Sequence, residues 1–159
     1  MIWNCLVERQ LAIREYRPAD AARLSEIYLG SRKATFSWLN TALFELSDFH
    51  RDTRGEHIRV AELSKTVIGF SGCWLAERFI HHLYLDPTHT GMGAGGALLD
   101  ATVELVGQPV RLKCLTQNRR ALRFYLSRGW NVVNGGKTEN GQYYELELRT
   151  GALARSVGV

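Results

Sequence analysis

The stretch Phe79–Leu99, FIHHLYLDPTHTGMGAGGALL, constrains this chain more than any other. Its apolar and aromatic start reads as a strand, Asp86-Pro87 as a sharp turn, and the glycines as a loop that opens into a helix. Gly91, Gly93, Gly95 and Gly96 carry no β-carbon. A pyrophosphate can therefore come close to main-chain N–H groups at the positive end of that helix. A strand, a bare loop and a helix in this order make a phosphate cradle, which says more about a cofactor than about a substrate.

At 159 residues, 45% hydrophobic and 23% charged, the chain has enough apolar material for one core and too little for two ordinary domains. One domain over residues 1–159 is expected, with its core at about 11–149 and a loose tail at 151–159. A net charge of +4 suits a polyanionic ligand without requiring one. Cys5, Cys73 and Cys114 are too few for a disulfide framework and lack metal-ligand spacing, so no metal and a reducing cytoplasm are expected. Asn4, Glu8 and Arg9 interrupt the first apolar run, and no 18 apolar residues stand together, so neither a secretory segment nor a membrane span is expected.

The coarse element order is β-α-α-β-β-β-α-β-α-β-β. Leu11–Tyr16 alternates as a strand, and Asp20 is placed to cap a helix with Ala21, Leu24, Ile27 and Tyr28 on its buried face. A second helix is expected over Thr41–Arg51, with Leu43, Leu46 and Phe49 inward. His57–Leu63, Val67–Leu75 and Glu77–Leu85 read as a meander of strands. After the glycines come a helix over Ala97–Val106, a strand over Val110–Thr116 and a helix over Asn118–Ser127 closed by Gly129. Trp130–Val133 and Tyr143–Leu148 follow as strands around a loop at 134–141. This is an α/β chain of the α+β kind, with a mixed, mostly antiparallel central sheet and helices on both faces.

Gly91-Met92-Gly93-Ala94-Gly95-Gly96 also satisfies G-x-G-x-x-G. A dinucleotide-binding unit places that motif after an opening parallel strand, with an acidic residue about twenty positions on for the ribose. Here hairpins precede the loop, and the next strand ends in Leu115-Thr116-Gln117 without a carboxylate, so a nicotinamide cofactor is set aside. The second informative segment is Asn118-Arg119-Arg120-Ala121-Leu122-Arg123-Phe124-Tyr125, followed by Gly129-Trp130. Asn118 stands where a strand gives way to a helix, and Tyr125 lies about two turns, or roughly 10 Å, along the same face.

Together the two segments resemble the GCN5-related N-acetyltransferase (GNAT) superfamily of acetyl-coenzyme A-dependent enzymes. Its pyrophosphate loop, Arg/Gln-x-x-Gly-x-Gly/Ala, falls on Thr90, Gly91, Met92, Gly93, Ala94 and Gly95, with Thr90 departing from the usual Arg or Gln. Its later motif, Asn-x-x-Ala-x-x-Phe-Tyr-x-x-x-Gly-Phe, falls on Asn118, Ala121, Phe124, Tyr125, Gly129 and Trp130. The element order agrees over Leu11–Arg149. The resemblance implies an acyl-CoA N-acyltransferase fold in which the strand before the glycines splays from Val110–Thr116 and the coenzyme's pantetheine arm fills the gap.

On that resemblance, the backbone at Leu83, Tyr84 and Leu85 binds the arm and polarises the thioester carbonyl. The N–H groups from Gly91 to Gly96 take the pyrophosphate, with Asn118 and Tyr125 beside the arm. An amine attacks the acetyl thioester directly, and Tyr125 protonates the departing thiolate. The same spacing also fits a Tyr125 that only packs with Phe124. His81 is the favoured base, at the parity where some relatives carry a catalytic His or Glu, with His82 and Glu77 in reserve. A histidine on an apolar strand equally fits a core role. Phe36, Trp38, the loop at 134–141 and Tyr143 are assigned to the acceptor pocket, although Phe36 and Trp38 also suit core closure.

Arg119, Arg120 and Arg123 either attract phosphates or form a solvated face. No aromatic stripe or recognition helix accompanies them, so no nucleic-acid partner is expected. The expected acceptor is an amine on a small molecule or a peptide, and a homodimer is compatible with the family. The alternative reading is a non-catalytic acyl-CoA-binding sensor.

Overall fold

A computed structural model describes residues 10–150; Cys5 and the tail at 151–159 lie outside the described residues. Seven strands, β1 (Leu11–Glu15), β2 (His57–Leu63), β3 (Thr66–Trp74), β4 (Phe79–Leu85), β5 (Val110–Leu115), β6 (Asn131–Thr138) and β7 (Gly141–Leu148), form one sheet in the order β1-β2-β3-β4-β5-β7-β6. Every neighbouring pair is antiparallel except β4 and β5. Four α-helices, α1 (Ala21–Thr35), α2 (Asp48–Asp52), α3 (Ala94–Val106) and α4 (Arg119–Ser127), and three single 3-10 turns complete the described residues. The expected mixed, mostly antiparallel sheet is present.

Neighbouring residues of β2 show how the helices are distributed. Val60 packs with Leu24, Ile27, Tyr28, Phe49 and Phe70, whereas Ala61 packs with Ile68, Ala94 and Leu98. Since adjacent strand residues point to opposite faces, α1 and α2 cover one face and α3 the other. A third cluster joins α3 and α4 to β5 and β7 through Leu99, Val103, Leu112, Tyr125, Trp130 and Leu146. One polar link crosses the core: Ser71 and Thr102 pair through their hydroxyls at 2.6 Å, and Thr102 donates onward to the Leu98 carbonyl at 2.7 Å.

Several local expectations change. Thr41–Arg51 is not one helix: a single 3-10 turn at Thr41–Leu43 and the short α2 replace it. Phe49 is buried as expected, but Leu43 is 74% and Leu46 51% exposed, so the three-and-four spacing there does not mark one inward face. Asp20 precedes α1 without capping it; its carboxylate accepts from Arg14 at 2.9 Å and from the Arg17 N–H at 2.8 Å, tying β1 to the helix start. The expected loop at 134–141 is mostly strand, because β6 runs to Thr138 and the hairpin turns only at Glu139-Asn140. α3 begins at Ala94, so Gly95 and Gly96 belong to its first turn.

α1 and α2 are joined by a buried ion pair, Arg32 to Asp48 at 2.9 Å. Burial alone would raise the Asp48 carboxyl, but the Glu45 N–H and the Arg32 guanidinium outweigh it and hold the group below the ordinary carboxylate range. Breaking such a pair from one side leaves a buried charge unmatched. Asp48→Ala is expected to destabilise the protein by about 3 kcal/mol in denaturant unfolding. Because the folded carboxyl is depressed, the pair's contribution is complete above about pH 4 and is lost as pH falls further.

Candidate functional site

The site grows from the only parallel strand contact among the described residues. β4 and β5 pair at Phe79↔Arg111 and Ile80↔Leu112 and nowhere beyond, while β5 keeps β7 along its whole length. The β4 edge from His81 to Leu85 therefore has no ladder partner on that side, and the sheet opens as a V between the two strands. A register shift against β3 lies at the apex: Gly72 pairs with His82 and Cys73 with Ile80, leaving His81 as the surplus residue. Such a bulge bends its strand and re-aims the side chains beyond it.

The bulge corrects the expected alternation of Phe79, His81, Leu83 and Leu85 on one face and Ile80, His82 and Tyr84 on the other. Ile80 joins the α3–α4 cluster against which Leu83 also packs. His82 and Tyr84 instead face Tyr28, with ring centroids 5.5 and 5.1 Å away. Period-two reading fails because one extra residue inverts the parity of everything after it.

Beyond β4, Asp86 organises the turn. Its carboxylate accepts from the Thr88 N–H at 3.1 Å and the Thr88 hydroxyl at 3.0 Å, and it also pairs with Arg23 of α1. Thr90 donates to the Pro87 carbonyl at 3.3 Å, so the residue replacing the family's Arg or Gln is part of the turn's own bonding. Gly91 and Gly93 have φ of 79° and 85°, which glycine adopts without penalty. Gly93 caps α3 with no side-chain acceptor, and the first intrahelical bond of this turn runs from the Ala97 N–H to the Gly93 carbonyl. The N–H groups of Ala94, Gly95 and Gly96 are thus unclaimed by the helix and available to an anion. Gly96 also meets the Arg128 guanidinium where a β-carbon would stand.

Across the V, Asn118 caps α4, its side-chain oxygen accepting from the Ala121 N–H at 3.3 Å. Tyr125 is buried against Trp130 and Phe124, with Leu112, Cys114 and Ile80 in the same cluster. Its hydroxyl forms no hydrogen bond with a described residue. Burial pushes the Tyr125 phenol well above its ordinary value, aided by Cys114 and Tyr84 nearby. Burial pushes Tyr84 up to about 12 and the Cys114 thiol up to about 11. β4, β5 and α4 therefore bring two protonated phenols and a protonated thiol together at the parted strands.

The two histidines of β4 differ sharply. His81 lies against Trp74 and Phe79, with ring centroids at 4.4 and 4.6 Å, and burial pushes its imidazole below the ordinary value. His82 bonds through Nδ1 to a Glu56 oxygen at 2.8 Å, with side-chain exposures of only 12% and 2%. Glu77, the other reserve for a base, lines a depression of about 620 Å³ with Glu56 and Trp74. Nothing in the sequence around Glu56 marks it as a site residue. It stands one residue before β2, in no recognisable motif, and only the pairing of β2, β3 and β4 brings it to His82.

Phe36 closes the end of α1 and packs edge-on against Trp38 at 5.5 Å. The Trp38 indole N–H is buried without a partner among the described residues. Tyr143, opposite Leu115 on β7, carries the Lys113 ammonium 4.9 Å from its ring centroid. Arg119, Arg120 and Arg123 are exposed and take part in no ion pair among the described residues.

Residues 21–130 match the Acetyltransferase (GNAT) family. No curated protein sequence matches the chain. Solved structures share its fold. YjaB from Escherichia coli, in its apo form, is 20% identical, with a TM-score of 0.72 over 87% of this chain and 97% of its own. PaiA N-acetyltransferase from Thermoplasma acidophilum, in complex with coenzyme A, is 19% identical, with a TM-score of 0.69 over 87% and 99%. YncA from Salmonella typhimurium, a putative acetyltransferase with its cofactor acetyl-CoA, is 20% identical, with a TM-score of 0.67 over 87% and 93%.

Two glycines separate strain from space. Both Gly30, inside α1, and Gly93 have open space where a β-carbon would go, but only Gly93 has a positive φ. Gly93→Ala is expected to destabilise by about 1–2 kcal/mol, and Gly30→Ala to stabilise by about 0.5–1 kcal/mol. Parallel denaturant titrations check both signs.

Proposed function

The chain belongs to the GNAT acetyltransferase family, and on that premise we propose that it moves the acetyl group of acetyl-coenzyme A to a primary amine of a small molecule or a peptide. The observation that carries this reading is the V between β4 and β5, with bare helix-start amides at one end and a buried phenol packed in the cluster that joins Ile80 of β4 to Leu112 and Cys114 of β5. The unpaired edge of β4 at Leu83, Tyr84 and Leu85 offers backbone groups to an extended arm, as a missing strand would take them. The N–H groups of Gly91–Gly96 receive the pyrophosphate, Met92 and Ala94 lying within the same run, and Asn118 stands across the gap. Phe36, Trp38 and Tyr143 are assigned to the acceptor.

In the reaction a C–N bond forms and the C–S bond breaks, so the amine must lose protons and the thiolate must gain one. Tyr125 supplies the latter. In water the transfer from a phenol near 10 to a thiolate whose acid is near 8.5 is uphill by about 2 kcal/mol. Burial makes the phenol a weaker acid, which would seem to worsen this. Burial acts in the same direction on sulfur: the Cys114 thiol in this cluster is pushed up to about 11, so a thiolate released beside it is also a stronger base than in water, which offsets part of that loss. The protonated phenol is kept in reserve until that charge appears.

The first test is titration of the protein with acetyl-coenzyme A, followed by thiol release across a panel of primary amines. Saturable binding and amine-dependent release are expected; absence of binding overturns the reading, and binding without turnover of any amine favours an acyl-CoA sensor. Tyr125→Phe is expected to lower kcat by about 100-fold with little change in the KM for acetyl-coenzyme A.

A further inference from the structure

Glu56 is a carboxylate in an expensive position. Its side chain is 2% exposed, and its one described hydrogen-bond partner is His82. A buried charge held by a single neighbour destabilises a fold unless that neighbour shares the charge or the pair does something. The surrounding sheet also makes room for it. Gly72 is the register partner of His82, and a β-carbon there would overlap the Glu56 oxygen and stand 3.3 Å from His82 Nδ1. Any other residue at 72 would displace the carboxylate from the ring.

We propose that Glu56 and His82 form a carboxylate–imidazole pair in which His82 takes the proton from the acceptor's ammonium and Glu56 positions it; this rests on the acetyltransferase reading. His82 lies two residues beyond the last β4–β5 pair, at the apex of the V where an acyl group would end. Its Nδ1 is taken by Glu56, so in the neutral ring the proton sits on Nδ1 and the lone pair on Nε2. Nε2 has no partner among the described residues. Tyr28 meets the ring edge-on at 90°, and Phe70 and Tyr84 lie at 6.3 and 6.1 Å, so rotation of the imidazole is restricted. His81, one residue earlier, has no hydrogen bond to a described residue that would fix either nitrogen.

The proton account closes. One proton passes from the ammonium to His82 Nε2 and on to solvent. The amine nitrogen then bonds to the acetyl carbon as the C–S bond breaks, and Tyr125 protonates the sulfur. The second nitrogen proton restores the phenol. Glu56 balances the imidazolium during the turnover and is a positioning residue rather than a catalytic one.

Two-bond proton–nitrogen spectra of the imidazoles are expected to show the neutral His82 ring protonated on Nδ1, and to lose that preference in Glu56→Gln. With the fastest amine of the panel, kcat is expected to fall about 10-fold or more in Glu56→Gln and about 100-fold in His82→Ala. Glu56→Asp should recover part of the loss, and the KM for acetyl-coenzyme A should stay within about twofold of the parent, as is characteristic of an interaction made in the transition state. A parent ring protonated on Nε2, an unchanged kcat in Glu56→Gln, or a larger loss in His81→Ala than in His82→Ala overturns the proposal. Calorimetric titration of every variant with acetyl-coenzyme A separates this failure from failure of the function itself: a parent that does not bind removes the acetyltransferase reading, whereas the spectra judge the pair alone.

Discussion

Everything distinctive about this molecule follows from two strands that start parallel and stop. A parallel pair is ordinarily buried and continuous, because each unpaired main-chain group in an interior costs what a lost hydrogen bond costs. β4 and β5 give up their ladder after Ile80 and Leu112, and the edge left exposed on β4 can be satisfied only by water or by an extended ligand. The fold tolerates the gap because β5 stays fully paired to β7 on its other side and β4 to β3. The helices on either side of the sheet supply the apolar burial that the missing ladder does not.

Placing a helix start at the open end of that gap adds an electrostatic bias. Gly93 ends the turn in a left-handed conformation and leaves the opening amides of α3 without a side-chain cap, where most helices would recruit Ser, Asp or Asn. α4 on the other side is capped conventionally by Asn118. Of these two helices, only α3 leaves its opening amides without a side-chain acceptor, and it is the one to which the pyrophosphate is assigned in the proposed function.

The sequence was most legible where local rules decide the structure. Glycine spacing, the Asn118 cap and the Gly129 terminator marked both helices around the cleft, and β2 was placed to the residue, because each depends on side chains within a few positions of one another. Legibility ended where partners are remote. The bulge at His81 depends on how β3 and β4 register, and nothing in FIHHLYL signals it. Glu56 acquires meaning only through Gly72 and His82, 16 and 26 positions away in the chain. Leu43 and Leu46 mimic a helix face in a segment too short to bury one. Thr41–Arg51 therefore shows that apolar spacing implies a helix only where there is a surface for it to cover.

α1 touches both extremes of the cleft. Arg23, near its start, pairs with Asp86 in the turn that shapes the glycine loop, and Tyr28, five residues on, lies against the ring of His82. The proposed anion grip and the proposed proton transfer, which chemistry treats separately, thus share one helix. A shift of that helix cannot loosen one without disturbing the other, so sequence drift at either end is answerable to both.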